Sequence, residues 1–204
     1  MGQRGMGIGY GRDVKQGGRN MEEIPCETRY TAEEAYPEVR ASGRDRRCAL
    51  AILSNVGGGV SEMSAVGLYL YGQFTGGARP EVAECFRGIA EVEMRHLTIF
   101  AQLARQMGED PRLWSPFQGR RRYWSPEYLN YPRRLDQTLR YAVEEERGCI
   151  RKYQQQLRWI GDENVAANLR RIIADEEVHV RVLTGLYQSY CQDFGLDLKT
   201  SATR

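Results

Sequence analysis

The spacing of apolar residues constrains this chain more than any other feature. From about residue 46 to 192 they recur every three or four positions, the period of helices that each bury one stripe. Four such stretches can be read. The first runs from about 46 to 74 and ends at the breaker Thr-Gly-Gly-Ala-Arg-Pro; the second runs from Pro80, a residue suited to a first helical turn, to about Gly108. The third covers about 134 to 160 and the fourth about 163 to 192, with only Gly161 and Asp162 between them. Loops this short make two helix hairpins. The stretch between the hairpins, about 109 to 133, holds Pro111, Pro116, Pro126 and Pro132, so it is not one helix, and it is long enough to cross a bundle from end to end. No strand alternation of useful length is present, and the expected fold is all-α. Gly57, Gly58 and Gly59 fall inside the first stretch, where each costs about 1 kcal/mol relative to Ala; they predict a kink, a break or a close approach.

Composition narrows the class. The 204 residues make one domain with tails, and no apolar run approaches the length of a membrane span. The 29 basic and 27 acidic residues nearly cancel, so no global field favours nucleic acid. Five cysteines (Cys26, Cys48, Cys85, Cys149, Cys191) form no Cys-x-x-Cys pair, which argues against a disulfide scaffold and a thiolate metal site. Seven glycines in the first twenty positions, with little periodicity up to residue 44, read as a flexible N-terminal tail. Residues 45–192 are then the bundle and 193–204 a C-terminal tail. With no secretory signal in the first twenty residues, a cytoplasmic location is expected.

Chemistry concentrates on the chain's two histidines. His96 stands in Glu93-x-x-His96 and His179 in Glu176-x-x-His179. At helical spacing each pair shares a face, and that face is the apolar one: Val82, Phe86, Ile89, Glu93, His96 and Phe100 follow one stripe, and Val165, Leu169, Ile172, Glu176, His179 and Leu183 the other. A carboxylate in an apolar interior costs several kcal/mol unless a counter-charge or metal compensates. The first and third helices each add one inward carboxylate, Glu62 and Glu146, the latter chosen over Glu144 and Glu145 by its phase with Ile150 and Tyr153. Glu62-Met-Ser-Ala-Val-Gly-Leu-Tyr69 and Glu146-Arg-Gly-Cys-Ile-Arg-Lys-Tyr153 share the pattern Glu-x-x-small-branched-x-x-Tyr, an internal repeat. Four carboxylates and two imidazoles suit iron or manganese better than zinc, and two ions better than one.

The order Glu62, Glu93-x-x-His96, Glu146, Glu176-x-x-His179 resembles the ferritin-like di-metal carboxylate proteins across the whole of 46–192, most closely the bacterioferritin, rubrerythrin-like and manganese-catalase branch. The resemblance implies a ferritin-like four-helix bundle in which Glu93 and Glu176 bridge two metals. It makes Glu62 and Glu146 terminal ligands and gives each metal one of His96 and His179. Tyr69 and Tyr153 become the candidate catalytic tyrosines, beside the metals. The chain departs from that pattern in places. The Cys-x-x-Cys iron site of classical rubrerythrins is absent, and the acid that precedes Glu-x-x-His in bacterioferritins is present as Asp175 but replaced by Val92 in the first copy. Met94 matches a haem-ligating position of bacterioferritins, but haem is not expected.

The resemblance therefore implies a di-iron oxidoreductase that reacts with O2 or hydrogen peroxide, with ferroxidase or peroxidase chemistry, as a homo-oligomer; the charge balance and the lack of a long apolar run add the expectation of no nucleic-acid or membrane partner. The alternative is a di-manganese catalase. A further alternative is a non-enzymatic, metal-stapled assembly or coat component acting through its Gly-rich N-terminal tail and its crossover.

Overall fold

The computed structural model describes residues 30–76 and 79–191. Its helices are α1 (Arg46–Gly57), α2 (Glu62–Thr75), α3 (Pro80–Gln106), α4 (Leu135–Leu157) and α5 (Glu163–Cys191), and its strands are β1 (Trp114–Phe117) and β2 (Arg120–Tyr123). The chain folds as a ferritin-like bundle in which α1 and α2 are the two halves of the first expected helix. α3 lies against both, α4 pairs with α5, and the crossover joins the hairpins.

The glycines decide where the first helix breaks. A Cβ on Gly57 would lie 2.5 Å from the Leu113 carbonyl carbon and 2.5 Å from the Trp114 nitrogen, so the crossover backbone can press onto α1 only at a glycine. Helix α2 restarts with Ser61 as its cap, the hydroxyl accepting from Ser64 N. The Lys152 ammonium spans the break from α4, donating to Ser54 O and Val60 O at 2.7 Å each. At the far end of α3, Gly108 (φ 101°) is left-handed, and the bonds Gly108 N to Arg105 O and Glu109 N to Ala104 O close the helix. Asp162 caps α5, accepting from Asn164 N at 3.0 Å and Val165 N at 3.3 Å.

Two readings differ from the sequence expectation. The crossover carries a small β-hairpin, paired antiparallel from Trp114↔Tyr123 to Phe117↔Arg120. Its two-residue turn, Gln118 (φ 48°) and Gly119 (φ 75°), has the positive φ pair that matches strand twist. Four-residue strands are too short to show alternation, which is why they escape a periodicity search. The second difference concerns the expected tail. Residues 30–44 have no helix or strand, yet they lie along the bundle, held by side chains of α3 and α5. Arg171 donates to Glu34 O and Ala32 O, Asn168 to Glu38 O, and Gln106 both donates to Val39 O and accepts from Ala41 N. Residues 1–29 of that tail, and 192–204, lie outside the described residues.

The core has two apolar clusters. One, with Ile52, Leu53, Phe100, Leu103, Leu169 and Ile172, fills the end where α1 meets the C-terminal half of α3. The other, with Leu68, Phe86, Ile89, Leu139, Val143 and Leu183, fills the end where α2 meets its N-terminal half. Between them lies a polar layer.

Candidate metal centre

The layer consists of Glu62, Glu93, His96, Glu146, Glu176 and His179, every one of them buried. Helix periodicity brings them together. Glu62 begins α2, Glu93 and His96 lie one turn apart on α3, Glu146 is mid-way along α4, and Glu176 and His179 repeat the one-turn pair on α5. Their ligand atoms form two overlapping groups, Glu62–Glu93–His96–Glu176 and Glu93–Glu146–Glu176–His179, within each of which all atoms lie within 4.8 Å of one another. Glu93 and Glu176 belong to both groups.

Both imidazoles turn Nδ1 toward the carboxylates. His96 Nδ1 is 3.4 Å from Glu176 Oε1, 3.5 Å from Glu93 Oε2 and 3.8 Å from Glu62 Oε2. His179 Nδ1 is 3.0 Å from Glu93 Oε1 and Glu176 Oε2 and 3.6 Å from Glu146 Oε1. The rings stand 6.1 Å apart. On the outer side, His96 Nε2 meets Asp175 Oδ2 at 3.0 Å and His179 Nε2 meets Tyr30 O at 3.0 Å. A carbonyl can only accept, so His179 Nε2 carries a proton, and the carboxylate of Asp175 sets the same tautomer for His96. That arrangement directs Nδ1 inward as the ligand atom.

The tyrosines of the repeat cross between hairpins. Tyr69 of α2 donates to Glu146 Oε1 on α4, and Tyr153 of α4 donates to Glu62 Oε1 on α2. Both rings are fully buried. Burial, with the neighbouring carboxylates, holds both phenols well above their usual range, so each remains a donor.

The electrostatics are those of a cluster with too little positive charge. Burial, reinforced by the other carboxylates, pushes Glu62 and Glu146 well above the usual carboxylate range. Burial also raises Glu93, but the Glu62 carboxyl and the two imidazoles facing it outweigh burial and hold it low. For His96 and His179 burial works against protonation, yet the surrounding carboxylates outweigh it and push both rings well above their usual range. Asp175 is drawn down to about 2, because His96, Arg171 and Tyr36 outweigh its own burial. Even so, Glu62 Oε2, both Glu93 oxygens, His96 Nδ1 and Glu176 Oε1 are buried without a hydrogen bond. Orphaned buried polar atoms are rare. Here they converge on one point and are all oxygen or imidazole donors, so the set fits divalent iron or manganese.

Two contributors were not legible from periodicity: the Tyr30 carbonyl and the Tyr36 hydroxyl, which reaches Asp175 Oδ2 and lies 3.4 Å from His96 Nε2. Both belong to the irregular 30–44 segment, where no pattern marks them. Met94 is 45% exposed, on the face of α3 away from this layer. Three described cysteines, Cys48, Cys85 and Cys149, are buried and form no disulfide.

The bundle, its connectivity and its crossed carboxylate repeat define a ferritin-like protein of the di-metal carboxylate type. Within that class the chain belongs to the Rubrerythrin family, whose model matches residues 60–187. Two solved structures of KatB, a manganese catalase from Anabaena, one described as wild type and the other as from Anabaena PCC7120, share the fold. Each has a TM-score of 0.70 and 20% identity, with 78% of both chains covered. A search of curated proteins finds no match. Among the described residues, no helix is long and apolar enough to cross a membrane.

Proposed function

We propose that this protein is a di-metal oxidoreductase acting on O2 or hydrogen peroxide. Glu93 and Glu176, common to both groups, would hold both metals, with Glu62 and His96 completing one position and Glu146 and His179 the other. The observation that carries this reading is the pair of overlapping ligand groups that share two carboxylates. A bound metal pair supplies two-electron redox chemistry at a single site.

The chain's own residues do the rest. Asp175 and the Tyr30 carbonyl fix the imidazole tautomers. Tyr69 holds Glu146 Oε1 and Tyr153 holds Glu62 Oε1, with Glu62 Oε2 left unpaired, so the two tyrosines act through Glu146 and Glu62 as positioning residues. The two apolar clusters keep bulk water from the layer, which strengthens every charge interaction within it. Reactant access fits a narrow cleft between α2 and α4, where Ser61, Ser64, Tyr141 and Glu145 lead to Glu146 and Tyr69.

We assign iron and ferroxidase or peroxidase chemistry as the first reading. The likeness to a manganese catalase supports a second, peroxide dismutation at two manganese ions. Metal analysis of protein produced with both metals present, followed by peroxide addition with O2 recorded, tests the two. Two irons per chain without O2 release support the first reading, and two manganese ions with rapid release support the second. Protein without metal overturns both. Glu93→Ala and His179→Ala should each lower metal content, and wild-type stoichiometry in both variants refutes the ligand assignment.

A further inference from the structure

The two halves of the centre are alike in their ligands and unlike in what stands behind them. Behind His96 is a carboxylate, Asp175, with Oδ2 at 3.0 Å from Nε2. That carboxylate is held by Arg171, by the Tyr36 hydroxyl and by Ala32 N at 2.7 Å. Arg171 also stacks 4.1 Å over the Tyr36 ring. Behind His179 is a neutral main-chain carbonyl, that of Tyr30. Charge-assisted hydrogen bonds are about twice as strong as neutral ones, and a carboxylate partner raises the basicity of a ligating imidazole. The terminal carboxylates differ in the same sense. Glu62 is in the first turn of α2, where the helix dipole favours its anion, whereas Glu146 is mid-helix in α4.

All of these holders but Asp175 and Arg171 come from residues 30–36, which lie outside the 60–187 family match. The Tyr30 ring is 3% exposed and is set against α3 at Gly88, where a Cβ would come within 2.2 Å of Tyr30 Cε2 and 2.3 Å of Cδ2. No other residue type admits the ring there.

We infer that the 30–36 segment is a working part of the metal centre and makes its two positions unequal. The Glu62–His96 position, backed by Asp175 and Tyr36, takes up the first metal. The Glu146–His179 position binds the second more weakly and depends on the Tyr30 carbonyl being seated over Gly88. The inference rests on the di-metal reading above.

The test is a stepwise titration of the metal-stripped full-length protein with Co2+, whose ligand-field spectrum reports coordination. Wild type should show two steps separated by at least about tenfold in affinity, the scale of a change in the groups behind a ligand. Gly88→Ala and Tyr30→Ala should each weaken the second step by about 10–100-fold and leave the first unchanged. Asp175→Asn should weaken the first. Ala in place of a mid-helix glycine ordinarily favours the helix, so lower affinity with unchanged circular dichroism cannot be assigned to lost helix. If Gly88→Ala does not fold, Tyr30→Ala carries the same test. A Gly88→Ala/Tyr30→Ala pair that behaves like Tyr30→Ala alone supports the clash with the ring as the cause. Two equal steps in wild type, or a wild-type second step in both single variants, overturn the inference while sparing the di-metal reading. No Co2+ uptake by wild type overturns the reading itself, and the inference with it.

Discussion

Replacing Glu62 and Tyr153 together separates a carboxylate kept to hold metal from one kept to hold the fold. Glu62 is fully buried, with Oε1 accepting from Tyr153 and Oε2 unpaired. Glu62→Leu alone preserves volume but strands the Tyr153 hydroxyl, at a cost of about 1–3 kcal/mol. Glu62→Leu with Tyr153→Phe removes donor and acceptor together, along with the orphaned oxygen, and such paired replacement is close to neutral or stabilising. For a chain of this size each kcal/mol shifts the melting temperature by about 2–4 °C, so the metal-free single variant should melt roughly 2–12 °C below the double. The double should melt within a few degrees of metal-free wild type. With metal at a hundredfold excess over Kd, each filled site adds about 2.7 kcal/mol, which for two sites raises wild type by roughly 10–20 °C. The double variant should lose at least half of that rise. Differential scanning calorimetry on stripped and loaded samples, with metal content measured alongside, reads both quantities. A metal-free double variant melting more than about 10 °C below wild type would make Glu62 a structural residue. A metal-induced rise equal to wild type would remove it from the ligand set.

Further expectations concern the scaffold. Gly57→Ala forces a Cβ to 2.5 Å from the crossover backbone, and urea denaturation should show a loss of about 1–3 kcal/mol. Gly185→Ala, where an added Cβ meets nothing within 4 Å on an exposed helix face, should instead gain about 0.5–1 kcal/mol. Asp162 caps α5 and also accepts from Ser42 N at 2.6 Å, and Asp162→Ala should cost about 1 kcal/mol at pH 7. Burial raises the Asp162 carboxyl slightly, but its backbone donors outweigh that and hold it below the usual 3.8. Its contribution is therefore complete above that value and lost as pH falls through the folded one, so the variant and wild type should converge in stability as the pH is taken below 3.8 and through the lowered folded value. Stability curves that stay parallel across that range would refute the cap.

The helices and the buried carboxylate–imidazole layer were legible because both obey one period. Glu93, His96, Glu176 and His179 occupy stripe positions otherwise filled by Phe86, Ile89, Leu169 and Ile172, so the rule that locates the core also locates the charges within it. The choice of Glu146 over its neighbours agrees with burial: Glu146 is 2% exposed, while Glu144 is exposed and Glu145 intermediate. The break in the first helix was half legible. Three glycines mark it, but whether they kink, break or admit another segment depends on Leu113 and Trp114, more than fifty residues away. The 30–44 segment was not legible at all. Its backbone is paired by side chains of α3 and α5, and a segment ordered by someone else's hydrogen bonds leaves no period of its own.

The crossed tyrosine bonds and the split core lead to an expected order for folding and metal binding. Glu62 and Glu146 are each held by a tyrosine of the opposite hairpin, so neither candidate ligand group is complete until the hairpins dock. Docking does not wait for metal, because apolar clusters above and below the polar layer already draw on both hairpins. This is the reverse of small metal-folded domains, in which ligands are scattered until the ion gathers them. Here the apolar clusters would make the fold first, and an ion would enter a layer whose side chains are already gathered. Metal binding at the two Nδ1 atoms would release to solvent any protons they carry, so uptake should be accompanied by proton release. The helix break serves the same end: by restarting at Ser61 it puts Glu62 at the N-terminus of α2, where an anion is favoured, rather than in the middle of one long helix.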